Sequence, residues 1–251
     1  MKCGGRVVHI APTAYRPALV RRKWVVEKRI RKRPKMPARE IPAGDCWRGH
    51  GDPSPYIPGL PEDVPRFRSV GVLFGQMACC TRCELAPGRT QVVPGVGPRR
   101  AKLMLIGEGP GANEDREGRP FVGRGGRLLD ALLEEAGVNR SEAFVTNTVA
   151  CRPPGNRTPK PAEVRAHAPW LEEQIRLVAP EVIVTLGRSA LTWFLPREKI
   201  TQVHGTAQKL ERHGREFWLL PTFHPAAALR NDELRPLMQE DLRKLRSLLE
   251  A

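Results

Sequence analysis

Residues 106–126 read I-G-E-G-P-G-A-N-E-D-R-E-G-R-P-F-V-G-R-G-G. The run follows a short apolar segment at 103–106 and precedes an apolar-periodic one at 128–136, so it reads as a long loop between a buried strand and a helix. Seven of its 21 residues are Gly, which permits close backbone approach and positive φ. Glu108, Glu114, Asp115 and Glu117 stand among them, with one ring, Phe121. A loop of carboxylates, bare backbone and an aromatic after a central strand is where an α/β protein places its chemistry. A dinucleotide fingerprint is disfavoured: Gly107-Glu108-Gly109-Pro110-Gly111 departs from G-x-G-x-x-G, Pro110 spoils the tight turn, and the carboxylates oppose phosphate binding.

Outward from this loop, apolar runs predict strands at 102–106, 143–149, 181–186 and 217–221. Helical patterns fall at 128–136 with Gly137 as C′ cap, 161–177 with Pro161 in the first turn, 188–194 and 233–249. Segments 200–203 and 209–212 are expected to flank a turn at Gly205. Strands alternating with helices imply an α/β fold of three layers, α/β/α, around a small four-stranded, mostly parallel sheet.

The chain has 251 residues, net charge +15 and pI about 10.3. Such a balance favours a polyanion, nucleic acid before membrane, because Lys and Arg release counterions from phosphates. Residues 1–67 hold fifteen Lys and Arg against six Asp and Glu, and ten of the 25 Pro. They are expected to form a basic, Pro-rich, poorly ordered extension able to add non-specific DNA affinity, with a catalytic domain at 68–251. No apolar run reaches the roughly 18 residues of a membrane-spanning helix, and the N-terminus lacks a signal-peptide core, so a cytoplasmic protein with no membrane partner is expected.

In such a sheet the sites lie beyond the carboxyl ends of the strands. Four segments satisfy this: the 107–126 loop, Thr146-Asn147-Thr148, Gly187-Arg188-Ser189 and His224-Pro225. Asn147 offers an amide donor and acceptor, matching a planar ring with N–H beside C=O. His224 can donate to, or protonate, an anionic oxygen. Cys80-x-x-Cys83 is a metal half-site, and Cys151 and His167 complete a soft ligand set suited to zinc or iron–sulfur. Spacing alone leaves the metal open, and Cys79 is an alternative to Cys80.

Three motifs in order carry a resemblance: residues 107–123 (G-E-G-P-G-A-N-E-D-R-E-G-R-P-F-V-G), 145–157 (V-T-N-T-V-A-C-R-P-P-G-N-R) and 222–231 (T-F-H-P-A-A-A-L-R-N). From about Met77 onward the chain resembles the family 4, iron–sulfur uracil-DNA glycosylases. The resemblance implies a monofunctional glycosylase of uracil-DNA glycosylase-like fold, acting as a monomer on uracil in single- or double-stranded DNA. Glu108 and Glu114 would be catalytic with Asn147 and His224. Gly109, Gly111 and Asp115 would line the pocket, Phe121 would stack on the flipped base and Asn147 would read it. Leu229 and Arg230 would enter the minor groove. Cys80, Cys83, Cys151 and His167 would hold a [4Fe–4S] cluster, zinc being the alternative. Two departures stand out. The family has a fourth Cys where this chain has His167, and its H-P-A-Y-L-L motif appears here as His224-Pro225-Ala226-Ala227-Ala228-Leu229. A crosslinking branch of the superfamily carries a Gln in the first motif and an inserted basic loop with His. Gly109 and the short Gly155-Asn156-Arg157 point to turnover instead. The rival expectations are a crosslinking or non-turnover uracil-DNA binder and a metal-stabilised nucleic-acid-binding module.

Overall fold

A computed structural model describes residues 66–251. In chain order the strands are β1 (Leu103–Gly107), β2 (Ala143–Asn147), β3 (Val182–Leu186), β4 (Gln208–Arg212) and β5 (Arg215–Thr222). The helices are α1 (Val70–Ala78), α2 (Ala112–Glu117), α3 (Arg124–Glu135), α4 (Pro161–Val178), α5 (Arg188–Phe194), α6 (Ile200–Val203), α7 (Pro225–Ala228), α8 (Leu234–Arg243) and α9 (Leu245–Leu249).

The strands form one sheet in the order β2-β1-β3-β5-β4, parallel except for β4, which pairs antiparallel with β5. β1, β2 and β3 are buried at every position, as parallel strands covered on both faces must be. Their period-2 alternation divides the core. Leu103, Leu105, Val145 and Val184 pack with Leu129, Leu132 and Leu133 of α3 and with Met238, Leu242 and Leu245 of the closing helices. Met104, Ile106, Phe144 and Ile183 pack on the other face with Leu171 and Ile175 of α4 and Phe194 of α5. The three-layer α/β/α expectation holds.

The sheet has five strands rather than four. The missed strand, β4, is Q-K-L-E-R at the sheet edge, alternately half-buried and exposed, so it carries no apolar signal. The turn that makes it a strand is at His213 (φ 55°) and Gly214 (φ 72°), the left-handed pair a tight hairpin needs, and not at Gly205. Residues 200–203 are helical. The single helix expected over 233–249 is two, interrupted at Lys244. Gly137 does end α3 region with φ 72°.

Phe67, which the sequence reading assigns to the extension, is buried against Trp170 of α4, and its N–H donates to the fully buried Glu173 (3.1 Å). Glu173 also accepts from Arg176 (2.7 and 2.8 Å) and Arg66 (3.2 Å), so no bare charge is left inside. Residues 1–65 of the expected 1–67 extension lie outside the described residues.

Candidate active site and cysteine group

A cavity of about 580 Å³ opens beyond the carboxyl ends of β1, β2 and β5. The parallel register sets Gly107 at the end of β1 beside Asn147 at the end of β2. Glu108, Gly109, Gly111, Glu114, Phe121, Asn147, His224 and Arg230 all line the cavity, drawn together from segments far apart in the chain. Asn113, Arg124 and Thr158 line it as well. The sequence reading missed these three, since single polar residues that are not part of an apolar repeat carry no periodic signal.

Asn147 is 5% exposed, and its Oδ1 is buried without a hydrogen-bond partner. An orphaned acceptor in a cavity wall costs about 1–3 kcal/mol unless a ligand supplies a donor. A Cβ on Gly107 would fall 2.5 Å from that oxygen and 2.5 Å from the Phe121 ring, so only Gly admits both side chains. Phe121 takes φ 55°, unusual for a residue with a Cβ. Gly126 secures it: a Cβ there would lie 1.8 Å from the Phe121 carbonyl oxygen. The Phe121 and His224 rings are 5.8 Å apart, inclined by 30°.

The acids of the loop divide by position. Glu108 lines the cavity and accepts a short hydrogen bond from Ser189 Oγ at the start of α5. Glu114 borders the cavity, but its carboxylate is occupied by backbone: Oε1 accepts from Val122 N (3.0 Å) and Gly123 N (2.8 Å), Oε2 from Gly111 N (3.1 Å). It fastens α2 to the Phe121 segment. Asp115 is absent from the cavity wall. It is buried on the far side of α2, where both oxygens accept from Thr90 N (3.0 and 3.1 Å). The sequence reading took 107–126 as continuous loop. The α2 turn within it rotates adjacent residues by about 100°, which sends Glu114 and Asp115 to different neighbours. Leu229 also lies outside the cavity wall, exposed at 38% beside Arg230.

His224 caps the short α7, its Nδ1 accepting from Ala226 N at 3.1 Å. A backbone N–H can only donate, so Nδ1 is the acceptor and the ring proton of the neutral form sits on Nε2. Burial holds its pKa below the ordinary imidazole value, opposed by the nearby Glu108 carboxylate and assisted by Arg230. The group is therefore a neutral N–H donor.

Cys80, Cys83 and Cys151 are free thiols, Cys80 and Cys151 buried; Cys79 is not among them. Burial pushes the Cys83 thiol up and Cys151 up to about 12; Cys80 adds to the rise at Cys83, and Cys83 and Cys80 to that at Cys151. Arg89 Nη1 donates to Cys151 Sγ (3.5 Å). His167 is buried, its Nδ1 2.8 Å from the Glu163 carbonyl oxygen and 4.0 Å from Cys83 Sγ. Burial depresses its pKa to about 4, leaving the neutral ring that a metal ligand must be. Among the described residues, no three His, Cys, Asp or Glu side chains close around a single ion, as tetrahedral zinc demands. A four-iron cluster instead meets each thiolate at a separate iron. Glu163 links this group to the cavity. Its carboxylate is clamped by Arg157 (2.6 and 2.8 Å), which lines the cavity, and that clamp lowers its pKa below the usual range.

The Uracil DNA glycosylase superfamily profile matches residues 94–246. The type-4 uracil-DNA glycosylase of Sulfurisphaera tokodaii is 42% identical over 179 residues, 69% of this chain and 81% of that protein. That of Thermotoga maritima is 43% identical over 172 residues, 68% of this chain and 89% of that protein. The type-5 uracil-DNA glycosylase of Thermus thermophilus is 41% identical over 115 residues, 39% of this chain and 52% of its own length. The profile spans the three strand ends around the cavity, and similarity to the type-4 proteins runs over most of their length; the chain belongs to the uracil DNA glycosylase superfamily, in its type-4 branch.

Proposed function

We infer that this chain is a uracil-DNA glycosylase, starting base-excision repair by hydrolysing the N-glycosidic bond of uracil and leaving an abasic site. The observation that carries the residue assignment is the orphaned Oδ1 of Asn147 inside the cavity. Uracil brings an N–H to that oxygen and a carbonyl to the amide nitrogen. Cytosine brings an acceptor and an amine instead, leaving both groups mispaired, the kind of mismatch that discriminates strongly.

A base inside a duplex is unreachable, so it is flipped out at a cost of a few kcal/mol. Stacking on Phe121 offsets about 1–3 kcal/mol of this. As the bond breaks, the sugar becomes oxocarbenium-like and uracil leaves as an anion. Glu108 faces the cation, and the Nε2–H of neutral His224 donates to the uracil oxygen, interactions stronger in the transition state than before it. Glu114 holds the loop rather than reacting. Leu229 is the one large apolar side chain left exposed among the described residues, which suits it, with Arg230, to fill the space the base vacates.

Cys80, Cys83, Cys151 and His167 are the residues that would hold a [4Fe–4S] cluster, whose contribution would be structural, joining the segment after α1 to α4 and to the loop after β2. The substrate is uracil-containing DNA, single- or double-stranded, met by a cytoplasmic monomer. Residues 1–67 would add non-specific affinity and 68–251 carry catalysis.

With a labelled oligonucleotide containing one uracil, the protein should yield alkali-sensitive abasic product. A covalent gel-shifted species would instead mark a crosslinker, and neither product a binding module. Asn147→Ala should lower the excision rate by about 10³-fold or more, since it removes the base reader. Full activity in that variant would sink the assignment.

A further inference from the structure

β1 and β3 are neighbours at the topological switch of the sheet: the chain leaves β1 toward β2 on one side and leaves β3 toward β5 on the other. The loops after the two strands therefore face one another. The first carries Glu108. The second, Gly187-Arg188-Ser189, has no role in the chemistry described so far.

Ser189 Oγ donates to Glu108 Oε2. The Glu108 main chain is already held, its carbonyl accepting from Thr148 Oγ1 (2.6 Å) and Val149 N (3.2 Å). The terminal torsion of a Glu side chain is otherwise loose. Among the described residues Ser189 is the hydrogen-bond partner that sets the plane of this carboxylate. The same turn meets the other pole of the site. Gly187 has φ 87°, and a Cβ on it would fall 2.8 Å from the Cβ of His224. Gly187 N also donates to the Thr222 carbonyl (2.8 Å), two residues before His224. One turn thus grips the carboxylate and abuts the imidazole, the two groups on which charge of opposite sign is stabilised.

We propose that Ser189 is a positioning residue of the excision step, holding Glu108 Oε2 so that the carboxylate faces the sugar as positive charge develops on it. This rests on the assignment of Glu108 above. Preorganised charge is effective only in place, and a small misplacement of a catalytic group can cost about 10²-fold.

The test is a double-mutant cycle in the full chain, read by single-turnover excision and by uracil-DNA affinity. Ser189→Ala should lower the rate by about 10- to 100-fold while Kd stays within about threefold. Ser189→Thr, which keeps the hydroxyl, should recover most of the rate. In a Glu108→Gln background, Ser189→Ala should add less than about a twofold further loss, because the partner it positions is gone. Fully additive losses, a Thr variant as slow as the Ala variant, or an unchanged rate in Ser189→Ala would each overturn the proposal and leave the Glu108 assignment standing. A wild-type rate in Glu108→Gln alone would overturn both.

Discussion

Glu114 and His224 show how much a neighbour decides what a titratable residue does. The Glu114 carboxylate is saturated by three backbone N–H groups, so its removal is felt first by the loop. Glu114→Gln turns an amide NH₂ toward at least one of those donors, and should cost about 1–3 kcal/mol of stability. The expected result is a lower thermal midpoint accompanying any fall in rate. A rate lost by orders of magnitude at unchanged melting would return Glu114 to the chemistry. His224 makes a prediction about pH. Its neutral form exists above its folded-state pKa, which burial places below the ordinary value of about 6.5. Excision should therefore persist as pH falls through 6.5 and fail only at lower pH. A pH–rate profile of single-turnover excision whose acidic limb lies at or above 6.5 would contradict the neutral-donor role.

At the scale of elements, the packing of α3 against the loop before it carries the geometry of the base pocket. α3 begins with Gly123 as its N-cap and has Gly125 and Gly126 in its first turn, poor helix formers that propensity alone would reject. The reason is contact: the Phe121 carbonyl sits where a Gly126 side chain would be. Gly126→Ala should raise intrinsic helix propensity by about 1 kcal/mol, yet the clash should outweigh it, destabilising the protein by about 1–3 kcal/mol and displacing Phe121. Urea unfolding together with excision assays would check this; a stabilised, fully active variant would refute it. The glycines of residues 106–126 were visible in the sequence as a loop made for close approach. Which of them face a ring, a carbonyl or a carboxylate was not, because the partners come from β2, from the same loop folded back, and from α2.

For the whole molecule, the cysteine group and the cavity are joined through α4. His167 bonds the Glu163 carbonyl, and the Glu163 side chain clamps Arg157 at the cavity wall. Loss of a cluster held by these residues, as proposed above, should therefore reach the cavity wall at Arg157 without touching the reacting groups. Cys151→Ala should lose iron and visible absorbance, with weaker DNA binding or lower solubility. Unchanged iron content and activity would exclude Cys151 as a ligand. Arg157 stands at the cavity but is committed to Glu163, so its charge is shared inside the protein.

The α/β class, the positions of the buried strands along the chain, and Asn147 and His224 at two strand ends followed from the sequence alone, because continuous apolar runs between turn residues have few other solutions and a polar residue closing such a run is conspicuous. The edge strand β4, the α2 turn, the separate fates of Glu114 and Asp115, and the bond from Ser189 to Glu108 were decided only by the tertiary structure. Asp115 depends on Thr90, 25 residues back, and Glu108 on a loop 81 residues away that the parallel sheet brings to its side, while β4 pairs with β5 across a short hairpin and carries no apolar signal of its own. Local patterning records which face of an element is buried, and it holds no information about which polar group waits on the other side.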